Sequence, residues 1–282
     1  MKNEIFPCLW FNSSIKEAAN YYRSVFLGAT SKEQNPYVVS LKLEGEKFIL
    51  LNGAGGPEFT FNPTVSFFVL CETKDEIEQL WQSLTESGKV LMPLDKYPWS
   101  EMYGWCADKN KLNWQLMLGK SSDVNGQKIV PSLMFTGDQV GKAEEAINFY
   151  TSVFDDSKIQ GISRYEEGEG DVVGYIKHAQ FNLGDYVMMA MDSSADHKAS
   201  FNESISFVVE CNTQKEIDYY WNKLTAGGEE SMCGWLKDKY GLSWQVTPSV
   251  LPKLLADPSK AEKVTKVFMK MRKFDIEELV NA

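Results

Sequence analysis

Two glutamines close a motif that occurs twice in the chain, and their amides are the first candidates for chemistry. Gln115 and Gln245 each end the pattern GWxxDKxxLxWQ. A side-chain amide carries both a donor and an acceptor, so each glutamine could orient a carbonyl or an amine of a ligand. A glutamine at a repeated strand position can equally satisfy neighbouring backbone groups. The sequence leaves both interpretations open.

His178 is the second candidate for chemistry. The chain contains only 2 histidines, His178 and His197. His178 shares the face of a predicted strand with Gln180. Imidazole titrates near neutrality, which suits a general base. No carboxylate is placed to orient the ring, so a satisfied or solvent-facing histidine is the favoured interpretation.

The five cysteines form no CxxC pair, and no histidine is near any of them in sequence. This pattern predicts reduced, buried thiols rather than a redox or nucleophilic centre. They are Cys8, Cys71, Cys106, Cys211 and Cys233.

The elements that must position these residues also occur twice. A block running from Phe61 to Cys71 is repeated from Phe201 to Cys211, and each copy contains the strand pattern SFxVxC. The chain is therefore a tandem duplication with insertions between the matched blocks.

Each half contains the order strand, helix, strands twice. Such a module of roughly 55 residues is small for independent stability, so adjacent modules should share a sheet. We predict domains at residues 1–120 and 127–248, followed by a helical tail at 249–282. Asp257 and Pro258 should begin the tail helix, which would run to about Lys273 and dock on its own protein.

Composition excludes several classes of function. The net charge of −10 argues against nucleic acid and anionic lipid as partners. No apolar run approaches the ~18 residues of a membrane span. The amino-terminal residues lack the pattern of an export signal, so the expectation is a soluble, cytoplasmic protein.

The repeated motifs resemble the vicinal oxygen chelate superfamily, which includes glyoxalase I, bleomycin resistance proteins and extradiol dioxygenases. The helix ending AxxYYxxVF, the strand SFxVxC and the closing GWxxDKxxLxWQ carry the resemblance, over about residues 5–118 and 129–247. The closing motif is most similar to the PhnB-like branch, often labelled demethylubiquinone 3-methyltransferase. The resemblance implies an α+β fold: paired βαβββ modules, four in all, and a U-shaped sheet in each domain whose concave face holds a metal or a ligand.

The resemblance also implies where metal ligands would stand. Those positions fall near Pro7, Ser66 and Gln115 in the first domain. In the second domain they fall near Pro131, Ser206 and Gln245. Proline, serine and glutamine are poor ligands for a divalent ion, so we predict no metal and no cofactor.

Strand alternation then selects the side chains that share the concave face. If Ser66 and Gln115 point into the cavity, so do Phe68, Asn113 and Met117, while Trp114 turns toward the helices. In the second half Ser206, Val208, Gln245 and Thr247 face inward, and Trp244 packs outward. An apolar surface with one or two amides suits an aromatic or aliphatic small molecule.

The stretch from Leu91 to Tyr103 has no counterpart in the second half. Its Tyr97 and Trp99 could form a lid over the cavity mouth. Alternatively, this loop covers an exposed edge or forms an interdomain contact.

The sequence thus predicts a metal-independent protein that binds a small apolar or aromatic molecule, as a monomer with an internal pseudo-dimer or as a homodimer. The alternative is a metal-independent lyase, isomerase or transferase using Gln245, His178 or Tyr97; a third possibility makes one domain purely structural.

The run Gly53–Gly56 follows a strand, but Pro57 and Pro63 prevent the helix that a nucleotide-type methyl donor requires. The predicted ligand-binding residues are Ser66, Phe68, Tyr97, Trp99, Gln115, Met117, His178, Ser206, Gln245 and Thr247.

Overall fold

Four modules of one strand, one helix and three strands follow each other in the computed structural model, which describes residues 3–282. The first module comprises β1 (Ile5–Phe11), α1 (Ile15–Val25), β2 (Thr30–Asn35), β3 (Val38–Leu43) and β4 (Glu46–Asn52). The second comprises β5 (Val65–Cys71), α2 (Lys74–Thr85), β6 (Lys89–Tyr97), β7 (Ser100–Ala107) and β8 (Asn113–Leu118).

The second half repeats this order. The third module comprises β9 (Ile129–Phe135), α3 (Ala143–Val153), β10 (Lys158–Arg164), β11 (Ile176–Leu183) and β12 (Tyr186–Asp192). The fourth comprises β13 (Ile205–Cys211), α4 (Gln214–Leu224), β14 (Glu229–Glu230), β15 (Trp235–Lys237) and β16 (Ser243–Pro248). The predicted α+β class with a tandem duplication of βαβββ modules is confirmed.

The tail differs from the single helix that the sequence predicted. It contains α5 (Leu251–Ala256), α6 (Ala261–Phe268) and α7 (Ile276–Val280). The Asp257 carboxylate accepts hydrogen bonds from the amide and hydroxyl of Ser259 and so forms a turn, and the helix begins only at Ala261. No helix in the described part of the chain has the length and hydropathy needed to cross a membrane.

The chain divides into two compact units. Unit 1 joins the amino-terminal residues up to Leu9 with Phe201–Ala282, and unit 2 spans Trp10–Ser200. In unit 1 the strand order is β14-β15-β16-β13-β1. In unit 2 one sheet has the order β10-β11-β12-β9-β5-β8-β7-β6, and β4-β3-β2 are the other strands.

The strand pairing joins modules from different repeats, whereas the sequence led us to expect one sheet for each repeat. In unit 2, β5 of the second module pairs antiparallel with β9 of the third, and Ser66 lies opposite Ser132. In unit 1, β1 of the first module pairs antiparallel with β13 of the fourth. The proposed boundaries 1–120, 127–248 and 249–282 describe the sequence repeats and stay a prediction.

The eight-stranded sheet of unit 2 curls so that one face is concave. Strands β5 and β11 are three positions apart in the strand order, which corresponds to about 14 Å in a flat sheet. The rings of Phe68 on β5 and His178 on β11 are nevertheless 6.4 Å apart. The sheet therefore bends between β5 and β11.

The aspartate and second tryptophan of the repeated motif stabilise the opposite, helix-covered side of unit 2. One Asp108 carboxylate oxygen accepts hydrogen bonds from the Tyr22 hydroxyl at 3.0 Å and the Trp114 indole at 2.9 Å. The other accepts from the backbone N–H groups of Asn110 and Leu112 at 2.7 and 3.1 Å. This carboxylate ties α1 to the loop that precedes β8, so these motif residues are structural.

The motif glycine makes room for a large ring in each unit. A Cβ added to Gly104 would lie 2.7 Å from the ring of Trp81 on α2. A Cβ added to Gly234 would lie 2.5 Å from the ring of Phe274 in the tail. Distances under 3.0 Å force a neighbour to move, so a side chain cannot be added at either position without repacking the core.

We expect Gly104→Ala to lower the free energy of unfolding by about 1–3 kcal/mol, the usual cost of overpacking a core. Gly161→Ala is the matched control, because its added Cβ would meet nothing within 4 Å; it should change stability by less than about 0.5 kcal/mol. Urea unfolding followed by tryptophan fluorescence measures both. Equal stabilities for the two variants would contradict the packing assigned to Trp81.

Candidate functional site

A row of four polar side chains crosses the middle of the concave face of unit 2. The Tyr103 hydroxyl donates to Gln115 Oε1 at 2.6 Å, and Gln115 Nε2 donates to Ser66 Oγ at 2.8 Å. Ser132, opposite Ser66 on the neighbouring strand, completes what we call the polar row. All four side chains are buried, with exposed fractions between 1% and 6%.

Strand register places the polar row on one face. Tyr103 on β7 is paired with Met117 on β8, two residues from Gln115. Since residues two apart on a strand share a face, Tyr103, Gln115 and Met117 point the same way. Ser66 and Ser132 are direct cross-strand partners in the antiparallel pair β5 and β9. Four strands thus contribute one polar side chain each.

Sequence reasoning missed Tyr103 and Ser132 as site residues. It placed the first-strand position near Pro131 and its counterpart near Pro7, but Pro131 pairs with Phe67, whose ring packs on Trp114 on the helix side. The residue that faces Ser66 is one position later. No local sequence signal fixes this position, because it depends on which first strands pair and in which register.

Apolar side chains surround the polar row, and we call them the apolar flank. Phe68 and Met117, both predicted to face inward, belong to it. Its other members from the sheet are Leu70, Trp105, Val130, Met134, Val187, Met189 and, partly buried, Met92, Tyr97 and Met191. Four of these are methionines, whose flexible side chains adapt to irregular apolar partners.

The predicted lid is a β-hairpin and not a loop. Strands β6 and β7 pair antiparallel on both sides of the tip formed by Pro98 and Trp99. Trp99 is 53% exposed and stacks on Tyr97 with ring centroids 5.0 Å apart. Both rings contact Tyr103, at 5.7 and 5.6 Å. The hairpin therefore joins the two predicted aromatic residues to the end of the polar row.

His178 lies at the other end of the concave face. Its ring is solvent-accessible, but the surrounding protein lowers its pKa by desolvation. Accessibility together with desolvation is what a side chain on the wall of a concave surface experiences. Gln180, on the same strand face, donates to Gln160 Oε1 at 2.5 Å and to the Asp123 carbonyl at 2.8 Å.

The connection between the repeats also contributes to this face, a feature that sequence reasoning missed. Its 3₁₀ turn, Ser121–Val124, places Val124 in contact with the apolar flank. The Asp123 carbonyl is the acceptor for Gln180, and the Ser121 hydroxyl donates to Glu72 at 2.6 Å. The turn is therefore held on both sides.

In unit 1 the corresponding positions form a shorter polar cluster. Gln245 Nε2 donates to Ser206 Oγ at 2.9 Å, and Cys8 lies opposite Ser206. Burial raises the pKa of the Cys8 thiol to about 12. The thiol is neutral at physiological pH, as predicted for a buried cysteine. Val208 and Thr247 follow on the same strand faces, with Val208 buried and Thr247 partly exposed.

The residue at the position of Tyr103 differs in unit 1. Gly104 and Gly234 are equivalent motif glycines, so Cys233 takes the place of Tyr103. Its N–H donates to the Met271 carbonyl at 2.7 Å, and its thiol approaches the Phe268 carbonyl at 3.7 Å. The tail thus engages this residue, and no tyrosine hydroxyl reaches Gln245 from this position.

A divalent metal ion does not fit the polar row. Its side chains offer neutral hydroxyl and amide oxygens, whereas a divalent ion prefers imidazole, carboxylate or thiolate. Gln115 Oε1 already accepts from Tyr103. Within residues 3–282, no three His, Cys, Asp or Glu side chains are grouped so that they could hold an ion. The predicted independence of metal and cofactor stays a prediction.

The glycine run after β4 has a packing explanation. A Cβ added to Gly53 would lie 1.9 Å from the indole of Trp10, and the Gly56 N–H donates to the Gly53 carbonyl at 2.9 Å. The run forms a turn, and β5 follows without an intervening helix. It does not have the helix N-terminus that a nucleotide-type methyl donor would need.

A surface cleft of about 320 Å³ lies between the carboxyl ends of α1 and α2, on the helix-covered side of unit 2. The residues that line this cleft are mostly polar: Tyr21, Ser24, Val25, Ser83, Glu86, Ser87 and Lys109. None of the predicted ligand-binding residues is among them. The ammonium group of Lys109, from the repeated motif, lies 4.2 Å from the centre of the Tyr21 ring.

Comparison with known proteins places the chain in a family. The family model for 3-demethylubiquinone-9 3-methyltransferase matches twice, at residues 3–117 and 127–247. A PhnB protein from Bacillus cereus is 44% identical over 44% of this chain and 100% of its own length, with a TM-score of 0.41. No curated protein matches the sequence.

The fold extends to more distant structures. Glyoxalase I from Zea mays is 11% identical, covers 86% of this chain and 92% of its own length, and has a TM-score of 0.56. A mutant of glyoxalase I from the same plant gives 10% identity, 87% and 94% coverage, and a TM-score of 0.58. At this identity the likeness concerns the fold alone. Because the family model covers both halves, the chain belongs to the 3-demethylubiquinone-9 3-methyltransferase family, the PhnB-like branch of the vicinal oxygen chelate superfamily.

Proposed function

We propose that this PhnB-like protein binds a small apolar or aromatic molecule, without metal, on the concave face of unit 2. The observation that carries the proposal is the combination of the apolar flank with a few uncharged polar side chains, chiefly those of the polar row. Ligand sites are mostly apolar surfaces with a few placed polar groups. A sugar or a phosphate would require more polar or charged partners than the polar row offers.

Binding without turnover is the simpler proposal. The polar row contains no charged side chain, and Gln115 is fixed by hydrogen bonds at both ends of its amide. His178 is the candidate base for the enzyme alternative, but the side chain on its own strand face, Gln180, is an amide and not a carboxylate. Tyr97 donates its hydroxyl to the Pro93 carbonyl, so it too is engaged by the protein.

Ser206, Gln245 and Thr247 are proposed as a second binding position, in unit 1. In their cluster Gln245 Nε2 donates to Ser206 Oγ, and Cys8 lies opposite Ser206. The cluster lacks a counterpart of Tyr103 and of the long aromatic hairpin. We therefore propose unit 2 as the main site.

The first test uses N-phenyl-1-naphthylamine, a neutral aromatic probe whose fluorescence rises in apolar surroundings. We expect saturable binding, weakened at least about tenfold by Met117→Glu, because a carboxylate on the apolar flank would lose hydration when the probe binds. Met232→Glu is the control, since Met232 is 41% exposed in unit 1. Unsaturable binding, or equal affinities for the two variants, would argue against the proposal.

The second test concerns the hairpin tip. Removing the half-exposed Trp99 ring should leave unfolding free energy within about 1 kcal/mol of the wild type, because little apolar area is lost from the core. If the ring covers the ligand, Trp99→Ala should nevertheless weaken probe binding about three- to tenfold. An unchanged probe affinity would restrict the hairpin to a structural role.

The third test follows from the lowered pKa of His178. The folded-state pKa of His178 is below its ordinary value, so the imidazole is neutral at pH 7 and above. Its charged form destabilises the folded state as the pH falls below the ordinary pKa. Affinity for the neutral probe should therefore be constant from about pH 7 to 9 and decrease in acid. His178→Asn should remove the decrease, whereas His197→Asn should retain it. An acid-dependent loss that persists in His178→Asn would assign the effect to another group.

A further inference from the structure

The hydrogen-bond directions in the polar row determine what it offers to a ligand. Tyr103 is 5% exposed, and burial raises the pKa of its hydroxyl, so this hydroxyl remains a donor at physiological pH. It donates to Gln115 Oε1, which fixes the amide orientation and directs Nε2 toward Ser66. In this orientation the amide nitrogen, and not the amide oxygen, lies beside Ser66.

Three donor hydrogens of the row have no protein acceptor. Nε2 of Gln115 carries two hydrogens and donates one of them to Ser66. Ser66 Oγ accepts that bond, so its own O–H remains available. The Ser132 hydroxyl makes no hydrogen bond with the described protein, and Ser132 is 6% exposed. All three hydrogens belong to one face of the adjacent strands β9, β5 and β8.

The row is also electrically neutral. Serine, glutamine and protonated tyrosine carry no charge, and the lowered pKa of His178 keeps its ring neutral at pH 7. An anionic ligand would lose hydration here without meeting a cation, which is costly in an apolar site. A neutral acceptor, by contrast, satisfies the unpaired donors while its rings contact the apolar flank.

We propose that the polar row makes unit 2 selective for neutral aromatic molecules that carry a carbonyl acceptor. This inference rests on the proposed function and names the ligand class of the same site. Gln115, Ser66 and Ser132 are the donors to the carbonyl oxygen. Tyr103 is a positioning residue, which acts by holding the Gln115 amide with its N–H groups toward the ligand.

The test compares three naphthalenes of nearly equal shape by displacement of N-phenyl-1-naphthylamine: 2-acetylnaphthalene, 2-isopropenylnaphthalene and 2-naphthoate. The acetyl compound has a carbonyl oxygen where the isopropenyl compound has a CH₂ group. Water favours the carbonyl, so a site without donors would prefer the isopropenyl compound. We expect the acetyl compound to bind about three- to tenfold tighter than the isopropenyl compound, the contribution of one or two hydrogen bonds, and naphthoate to bind most weakly.

Variants assign the preference to the row. Ser132→Ala removes a donor without breaking a protein hydrogen bond and should reduce the acetyl-to-isopropenyl preference about two- to fivefold. Tyr103→Phe should also reduce it, because the amide is then free to turn its oxygen toward the ligand. Ser243→Ala, which removes a buried hydroxyl in unit 1 that lacks a hydrogen-bond partner, should leave the preference unchanged. The ratio of the two affinities is the readout, since a general loss of stability weakens both compounds alike.

The outcomes separate the two proposals. If the isopropenyl compound or naphthoate binds as tightly as the acetyl compound, or if Ser132→Ala and Tyr103→Phe keep the wild-type ratio, the selectivity proposal is wrong and the apolar site remains. If neither the naphthylamine nor any naphthalene binds, the proposed function itself fails.

Discussion

The antiparallel pairing of β5 with β9 is the interaction on which the candidate site depends. It brings Ser66 and Ser132 from different repeats face to face and makes one eight-stranded sheet from the second and third modules. Without this pair, β5 would be an unpaired edge strand, and the donors of β5 and β8 would lie at the edge of the sheet. The curl that brings Phe68 within 6.4 Å of His178 also spans this junction, so the concave face exists only because the repeats are joined here.

Alternate residues of the repeated motif point to opposite sides of the sheet. Trp114 points to the helices and donates to Asp108, while Gln115, the next residue, points to the concave face and donates to Ser66. Period-two alternation makes this division unavoidable on a strand. Most residues of the motif therefore pack or form hydrogen bonds within the protein, and one amide in it is available for a ligand.

The two units diverge where insertions and the tail meet the sheet. In unit 2 a long hairpin carries Tyr97, Trp99 and Tyr103, and the last of these locks the glutamine. In unit 1 the equivalent hairpin is short, and the tail holds Cys233 through the Met271 carbonyl. Two copies of one arrangement thus present different groups, both inside the matched blocks, as at Phe68 and Val208, and outside them.

The sequence by itself determined the duplication, the four βαβββ modules, the order of their elements and the family. It also assigned the outward tryptophans and the inward Phe68, Gln115 and Met117, because local periodicity and repeated spacing encode the face of a strand. The tertiary structure decided which first strands pair, and hence that Ser132 faces Ser66. It also converted the stretch from Leu91 to Tyr103 into a hairpin and directed the Tyr103 hydroxyl to Gln115. The physical reason is that homologous first strands present nearly equivalent edges, so the modules can pair within a repeat or between repeats with the same local contacts. Only the packing of the whole chain chooses between these pairings, and no local pattern records that choice.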